Sequence, residues 1–252
     1  MIFLASLRKE LMEHWRTSRF MVLLMVLTLF GLISPLLAKY IPEILKAVPG
    51  GEQFAGLVPT PTIIDAISQY IKNIGQFGIL LALLLSMGAV VNEKEKGTAA
   101  LVLVKPLPRG IFILSKFLSL VIIFFISLLL AGMGGFYFTA LIFSQPDLSA
   151  WISLNSLIWL VMLVYAAITL LFSTLMKSQA AAIGLGFATL LLLAVISALP
   201  SFANWLPNQL INWGASLFSP TPISAWPALW VSLAIIVISL LTAWAALNRQ
   251  EL

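Results

Sequence analysis

Few side chains in this sequence could do chemistry, and their spacing points away from catalysis. The chain has one histidine, His14, and no cysteine, which excludes disulfides, thiolate metal sites and cysteine nucleophiles. His14 stands between Glu13 and Trp15, where we expect a surface position rather than a metal-ligand role. Ser173 has a potential base one helical turn later, Lys177, but this lysine lies at the edge of an apolar run. We therefore expect no catalytic residue and no metal site.

Nucleotide binding by this chain is also not expected. A phosphate-binding loop needs a Gly-Lys-Ser/Thr motif, whose backbone amides and lysine hold the phosphates, and no Gly-Lys dipeptide occurs. The HExxH zinc motif is absent as well. If ATP drives this protein, another chain must bind the ATP and its magnesium.

The composition shows whether the chain folds in water or in a membrane. Hydrophobic residues make up 61% of the 252 residues and charged residues 9%, whereas about 25% are charged in soluble domains. The mean hydropathy is +1.08. A soluble enzyme, a nucleic-acid binder and a disordered chain are therefore excluded, and a polytopic helical membrane protein remains. The net charge of +5 fits lipid headgroups better than nucleic acid.

Six stretches without Asp, Glu, Lys or Arg are long enough to be helical spans, because a hydrocarbon core of about 30 Å needs roughly 20 helical residues. They are Phe20–Ala38, Ile74–Val91, Phe117–Phe143, Leu154–Met176, Ala180–Leu199 and Ala228–Leu247. We predict a six-helix transmembrane domain over residues 20–247 and a short tail over 248–252.

The basic residues predict the orientation. An even number of spans places both termini on one side, and eleven of the 14 Lys and Arg residues fall on that side, against Lys39, Lys46 and Lys72 on the other. Because basic residues are enriched in cytoplasmic loops, we expect both termini in the cytoplasm and the chain in the inner membrane.

The first 19 residues predict an amphipathic helix at the membrane interface. Leu4, Leu7, Leu11 and Trp15 recur at helical spacing and define an apolar stripe. The opposite face carries charged residues, with Arg8 near the edge of the stripe. A cleaved signal peptide is the competing interpretation, but the apolar run that follows is longer than a typical signal core.

Two outside loops are expected, at residues 39–73 and 200–227. Pro42 and Pro49 predict an irregular start to the first, and Ile63–Asn73 could form a short helix that leads into span two. The second contains three tryptophans and five prolines, so we expect it to lie at the outer membrane interface.

Small residues four apart occur in three pairs, and such pairs let helices approach closely. They are Ala131 with Gly135, Ala180 with Gly184, and Ala182 with Gly186. Ordinary packing within the chain and a dimer seam or moving contact are both open interpretations.

The loop between spans two and three, residues 92–116, is the most informative segment. Glu93 and Lys96 open it, Gly97-Thr98 and a short apolar run follow, and Pro106, Pro108 and Arg109 precede Lys116 at the next span. The apolar run can form a short helix that the prolines end. Such a loop is a candidate docking surface, although a plain basic loop that only sets the topology remains an alternative.

This order of features resembles the membrane subunit of type-two ATP-binding-cassette (ABC) transporters. Those permeases carry Glu, Lys/Arg and Gly-Thr, then Pro-x-Ser/Pro-Arg, then a lysine at the third span. The interfacial elbow helix, the six spans and a re-entrant-looking loop before the last span extend the resemblance over the chain. Pro59-Thr-Pro, Asp65-Ala, Gln69 and Asn73 in the first outside loop are similar to the branch that includes the nitrous-oxide-reductase maturation permease.

The resemblance implies an all-α, type-two ABC exporter permease fold that is coupled to a separate cytoplasmic ATPase. In this family the loop between spans two and three carries a coupling helix that sits in a groove of the ATPase. The residues that match the coupling motif are Glu93, Lys96, Gly97, Thr98, Pro106, Arg109 and Lys116. The elbow helix carries Arg8, Lys9, Glu10 and Arg16 toward the same interface. One chain with six spans corresponds to half a transporter, so the family implies a second copy or a sister permease.

The sequence thus favours an ABC exporter permease that works by alternating access. A secondary carrier or channel for an uncharged solute is the first alternative, although no ionisable group falls inside the six runs. A membrane anchor for an ATPase that moves another protein is the second. An intramembrane enzyme is disfavoured because the catalytic groups are missing.

Overall fold

The computed structural model describes residues 2–47, 60–95 and 108–250, and this part of the chain is helical without strands. Six helical segments of the described residues are long and apolar enough to cross a membrane, as the six charge-free runs predict. The helices are α1 Ile2–Arg16, α2 Arg19–Ala47, α3 Ile63–Ser86, α4 Val91–Glu95, α5 Arg109–Ile142, α6 Leu148–Leu175, α7 Gln179–Ser197, α8 Pro200–Ala203, α9 Gln209–Ser216 and α10 Trp226–Arg249.

Helix α6 lies at the centre of the bundle. It packs against α3, α5, α7, α9 and α10, and α2 packs on the outside against α3 and α5. The centre is hydrophobic on all sides of α6, since Leu154, Val161 and Leu170 are fully buried. Helix α7, in contrast, buries little more than Ala182 and Gly186.

Helices α2 and α5 cross closely through a glycine. A Cβ added to Gly31 would lie 2.4 Å from the backbone oxygen of Ala131, so only glycine permits this approach. One turn further along α5, a Cβ on Gly135 would lie 2.7 Å from the Tyr70 ring. The pair Ala131 and Gly135 therefore serves packing within one chain and is not exposed for a dimer seam.

The first outside loop is shorter than predicted, because α2 continues to Ala47 through Pro35 and Pro42. The prediction of an irregular start at residue 39 was wrong. Each proline removes one backbone N–H, but the neighbouring helical bonds remain, and the Ser34 hydroxyl bonds to the Phe30 carbonyl at 2.5 Å. At the other end of the loop, α3 begins at Ile63 with Asp65 accepting the backbone N–H of Thr62 at 2.7 Å.

The second predicted outside loop, 200–227, contains the two short helices α8 and α9. Helix α9 packs on α6, where a Cβ on Gly214 would lie 2.7 Å from Leu154 Cδ1. The rings of Trp213 and Trp226 pack with centroids 5.2 Å apart. A loop of this composition folds because Leu210 and Gly214 face α6 while Trp205 and Trp226 stay exposed.

Several boundaries differ from the charge-free runs because polar residues at the ends join the helices. Helix α5 is 34 residues long, or about 51 Å, and so exceeds the hydrocarbon core of about 30 Å. Helix α10 runs to Arg249, into the predicted tail. Between α1 and α2 the chain turns at Ser18, which has a left-handed φ of 57°.

One end of the bundle carries α1 and the C-terminal end of α10. This end is called the terminal end below.

Candidate functional site

The elbow helix α1 docks on the bundle mainly through its polar face, although Leu11 of the predicted leucine stripe also packs against the core. Leu4 and Trp15 of the predicted stripe are 68% and 57% exposed, whereas Glu10 and His14 are 5% and 6% exposed. Leu4 and Trp15 are free to face lipid because the start of α5 presents polar groups toward α1. The Ser6 and Ser115 hydroxyls begin this contact, with their oxygens 2.9 Å apart.

A buried lysine holds the centre of this contact. Lys116 lies on the second turn of α5, and its side chain is 2% exposed. Its Nζ donates to Glu10 Oε2 at 3.0 Å and to Glu93 Oε1 at 2.8 Å, and also lies 4.9 Å from the centroid of the Phe112 ring. One ammonium group therefore joins the elbow helix, the end of span two and the start of span three.

Lys9 completes the charge balance at the rim of the cluster. Its Nζ donates to Glu93 Oε1 at 2.7 Å and to Glu10 Oε1 at 3.2 Å. Burial alone would lower the pKa of Lys9, but the carboxylates of Glu10 and Glu93 outweigh it and raise the pKa. Glu13 adjoins the cluster, since its carboxylate lies within 4.8 Å of those of Glu10 and Glu93, and it pairs with Arg19 at 3.9 Å. Three cations and three carboxylates therefore balance, and the cluster can persist out of water because each charge has an opposite charge beside it.

His14 lies inside the contact, so the expected surface position was wrong. Its Nε2 is 3.2 Å from the Ser119 hydroxyl, one turn beyond Lys116 on α5. Burial lowers the pKa of His14 to about 4; Glu10 opposes this shift, and Arg19 and Lys116 add to it. The imidazole is therefore neutral at pH 7, which suits a helix contact that already holds two lysines.

Acidification will weaken the docking of α1. The folded-state pKa of His14 lies below its ordinary 6.5, so its contribution is complete above about pH 6.5 and is lost as the pH falls toward 4. We expect the Tm of the full chain in detergent to fall between pH 7.5 and 5.0. The fall will be smaller in His14→Gln, which keeps a bond to Ser119 without titrating. Equal falls in both proteins would show that His14 does not carry the pH dependence.

Lys94, next to Glu93, makes a second set of contacts on the other side of α4. Lys94 Nζ donates to the Thr174 carbonyl and, at 2.5 Å, to Gln250 Oε1. The Gln250 amide also donates to the Thr174 carbonyl, at 3.2 Å. The buried Ser173 hydroxyl accepts the backbone N–H groups of Val90 and Val91 at 3.0 and 3.1 Å, and so connects α6 to the start of α4.

Arg109 fixes the far end of the same loop to the last helix. Its guanidinium donates to the carbonyls of Leu247 and Gln250, at 2.5 and 3.3 Å. The last carbonyls of a helix lack partners within the helix and carry partial negative charge, so a guanidinium there is favourable. The loop that joins α4 to α5 is therefore anchored at both ends, to α1 through Glu93 and to α10 through Lys94 and Arg109.

The structure brings together five of the predicted site residues and leaves others apart. Lys9, Glu10, Glu93 and Lys116 share one cluster, and Arg109 lies at the same end of the bundle. Arg8 and Arg16 are exposed on α1. The remaining predicted positions, in the segment from 96 to 107, lie outside the described residues: Lys96, Gly97, Thr98 and Pro106.

Sequence reasoning missed the polar partners of this site. Ser6, Glu10 and His14 recur every fourth residue on α1, and Ser115 and Ser119 do so on α5. This spacing places each set on one helix face, and two polar faces of matching length would have indicated a buried contact. No comparable spacing points to Gln250 or Thr174, which meet Lys94 only in the folded bundle.

Together, the six candidate spans and the contacts of Glu93, Lys94 and Arg109 at the terminal end define a polytopic helical membrane protein. The family model described as ABC-2 family transporter protein matches residues 4–252. The chain therefore belongs to the ABC-2 transporter family, whose members are the membrane-spanning permease subunits of ABC transporters. The expected fold class is confirmed.

A relative of similar length is also named as a transmembrane protein. The chain is 29% identical over 219 residues to the Bacillus subtilis (strain 168) protein named "Uncharacterized transmembrane protein YxlG". The match covers 83% of this chain and 82% of that protein.

Proposed function

We propose that this chain exports a substrate by alternating access, driven by a separate ATPase that binds at the terminal end. The observation that carries the proposal is the anchoring of the loop between α4 and α5 at both of its ends. Family membership supports a permease role. The finer placement near the nitrous-oxide-reductase maturation permease rests on Pro59-Thr-Pro, Asp65, Gln69 and Asn73 alone.

The anchors give the loop a mechanical connection to most of the bundle. Glu93 connects it through Lys116 to α1 and α5. Lys94 and Arg109 connect it to α6 and α10. A displacement of the loop by the ATPase would thus move the first and last helices together. Charge-assisted hydrogen bonds are short and directional, so they suit such transmission.

The ATPase would contact the exposed basic residues of this end together with the loop. Arg8 and Arg16 face outward on α1, on the side away from Glu10. We propose that the loop carries a coupling helix formed by residues within 96–107, with Gly97, Thr98 and Pro106 at its borders. ATP and magnesium would be held by the ATPase. The excess of basic residues supports a cytoplasmic position for this end, in a chain that spans the inner membrane.

Photolabelling of a co-purified ATPase tests the proposal. The full chain is tagged at its chromosomal locus, purified in mild detergent, and exposed to 8-azido-ATP. We expect a labelled partner chain with the wild-type protein and at least threefold less of it with Arg109→Glu, because the end of the loop at α5 loses its connection to α10. The matched control is Lys177→Glu, which reverses an exposed charge at the same end of the bundle. No labelled partner, or equal recovery with both variants, would contradict the proposal.

We propose further that a second copy of this chain packs against α7. The face of α7 that carries Ala180, Gly184 and Ala188 is exposed, and a Cβ on Gly184 would meet no atom within 4 Å. Leu191, Leu192 and Val195 continue the exposed apolar surface along this helix. Small residues four apart allow two such helices to approach closely. The other small pair, Ala182 and Gly186, faces α3 and α6 within the chain.

Cysteine cross-linking in native membranes tests the second copy, because the chain has no cysteine of its own. Gly184→Cys is expected to form a covalent dimer in most of the protein under mild oxidation. Ala245→Cys provides the control, since Ala245 is an exposed small residue at the same end of the bundle on α10. A dimer with Ala245→Cys but not with Gly184→Cys would place the interface elsewhere. No dimer with either variant would favour a sister permease as the partner.

A further inference from the structure

A groove opens on the side of the bundle between α5, α6 and the start of α10. Its volume is about 690 Å³, which lies within the roughly 300–1,000 Å³ of typical small-molecule sites. The walls are apolar and largely aromatic, with Phe125 and Phe136 from α5 and Trp151 and Trp159 from α6. Leu229 closes the groove from α10. The proposed function uses neither this groove nor these residues.

The depth of the groove corresponds to one leaflet of a bilayer. Along α6 the lining runs from Leu148, the first residue of the helix, to Leu160. Twelve residues of helix correspond to about 18 Å. One leaflet contributes about 15 Å, half of a hydrocarbon core of about 30 Å. Because α6 begins at the end opposite the terminal end, the groove lies in the leaflet away from Lys116.

The polar atoms of the groove already have partners within the protein. Asn155 Oδ1 accepts the Tyr70 hydroxyl at 2.6 Å, and Asn155 Nδ2 donates to the Trp151 carbonyl at 2.9 Å. The Ser156 hydroxyl donates to the Ile152 carbonyl at 2.8 Å. The indole N–H groups of Trp151 and Trp159 donate to backbone carbonyls of α5. An occupant therefore needs no hydrogen-bonding group, and among the described residues the lining includes no lysine or arginine that could bind a phosphate.

We propose that the groove binds one acyl chain of a membrane lipid from the leaflet opposite the terminal end. A hydrocarbon chain matches the depth of the groove. It also forms no hydrogen bonds, so the polar groups of the lining keep their partners within the protein. A partner transmembrane helix fits less well, since it would cover the full bilayer of about 30 Å rather than one leaflet. The bound lipid contacts α5, α6 and α10 together, so it adds to the packing of these helices. The proposal requires neither the ATPase nor transport.

Photo-crosslinking of lipid chains in vesicles tests the site. The full chain is reconstituted in phosphatidylethanolamine and phosphatidylglycerol vesicles that contain traces of phosphatidylethanolamine with a diazirine near the end of one acyl chain. After illumination, digestion and mass spectrometry locate the adducts. We expect peptides that cover 125–136 and 148–160 to carry at least threefold more adduct than the exposed apolar face of α2 around Met25 and Leu29.

Two tryptophan variants on one helix provide the contrast. Met133→Trp fills the groove from an exposed lining position and is expected to lower its labelling at least threefold. Leu130→Trp is the control, because Leu130 is also exposed on α5 but does not line the groove, and its labelling will match the wild type. Even labelling of all lipid-facing helices overturns the proposal. So does labelling that is insensitive to Met133→Trp, or a groove protected from lipid by another protein.

Discussion

Replacement of Lys116 by methionine will lower the free energy of unfolding by about 3–5 kcal/mol, the usual effect of removing one partner from a buried ion pair. Methionine matches the length of the lysine side chain but leaves Glu10 and Glu93 buried without the cation they share. Lys9 remains, but it is 42% exposed and cannot neutralise both carboxylates. We expect α1 to detach first, since Glu10 and His14 are its buried contacts. Chemical denaturation of the full chain in detergent measures the change.

Two further variants separate charge from packing. Lys177→Met removes an exposed lysine at the same end of the bundle and will change the free energy of unfolding by less than about 0.5 kcal/mol. The triple variant Lys116→Met, Glu10→Gln, Glu93→Gln removes the unbalanced charges and will recover most of the lost stability. A Lys116→Met protein as stable as the wild type would mean that the cluster does not hold the elbow helix.

Gly31→Ala will destabilise the bundle by about 1–3 kcal/mol or more, as overpacking does. The added methyl group would lie 2.4 Å from the Ala131 oxygen, and this obstacle is backbone, which cannot rotate away. Helices α2 and α5 must therefore separate along their whole crossing. Separation also disturbs Gly134, where a Cβ would lie 2.8 Å from Leu32. The Tm of the purified chain and its resistance to proteolysis will both fall.

Gly184→Ala is the matched control for that experiment. Gly184 also lies in a spanning helix, but its missing Cβ faces open space within the chain. Because alanine has the higher helix propensity, this variant will be neutral or slightly stabilising in the monomer. Equal losses at Gly31 and Gly184 would contradict the close crossing of α2 and α5.

The number and placement of the spans could be predicted because they depend on chain-wide properties. A charge-free run of about 20 residues has few alternatives to a membrane helix. The ends were predicted less well, since a proline such as Pro42 is read as a helix breaker although it can sit within a helix that continues. For the same reason the proline-rich segment 200–227 was read as a loop and α9 was not predicted. This helix packs against Leu154, a contact that the local sequence does not show.

The site was predicted in part, and for a specific reason. The resemblance singled out Glu93, Arg109 and Lys116, and hydropathy placed an amphipathic helix before span one. Neither could predict that Lys116 points into the protein, because a lysine at the end of an apolar run is normally a headgroup anchor. Its burial depends on two carboxylates from distant segments, Glu10 and Glu93. Such an arrangement is a property of the tertiary structure.

Two neighbouring residues of α4 bind to opposite sides of the bundle. Helix α4 therefore cannot rotate about its own axis without losing both contacts. Glu93 reaches the N-terminal helix and Lys94 the C-terminal one. Adjacent residues on a helix are about 100° apart, so one extra residue between Val90 and Glu93 would swing both side chains off their partners at once. Substitutions at the surface of this segment can be absorbed, whereas insertions and deletions ahead of Glu93 cannot.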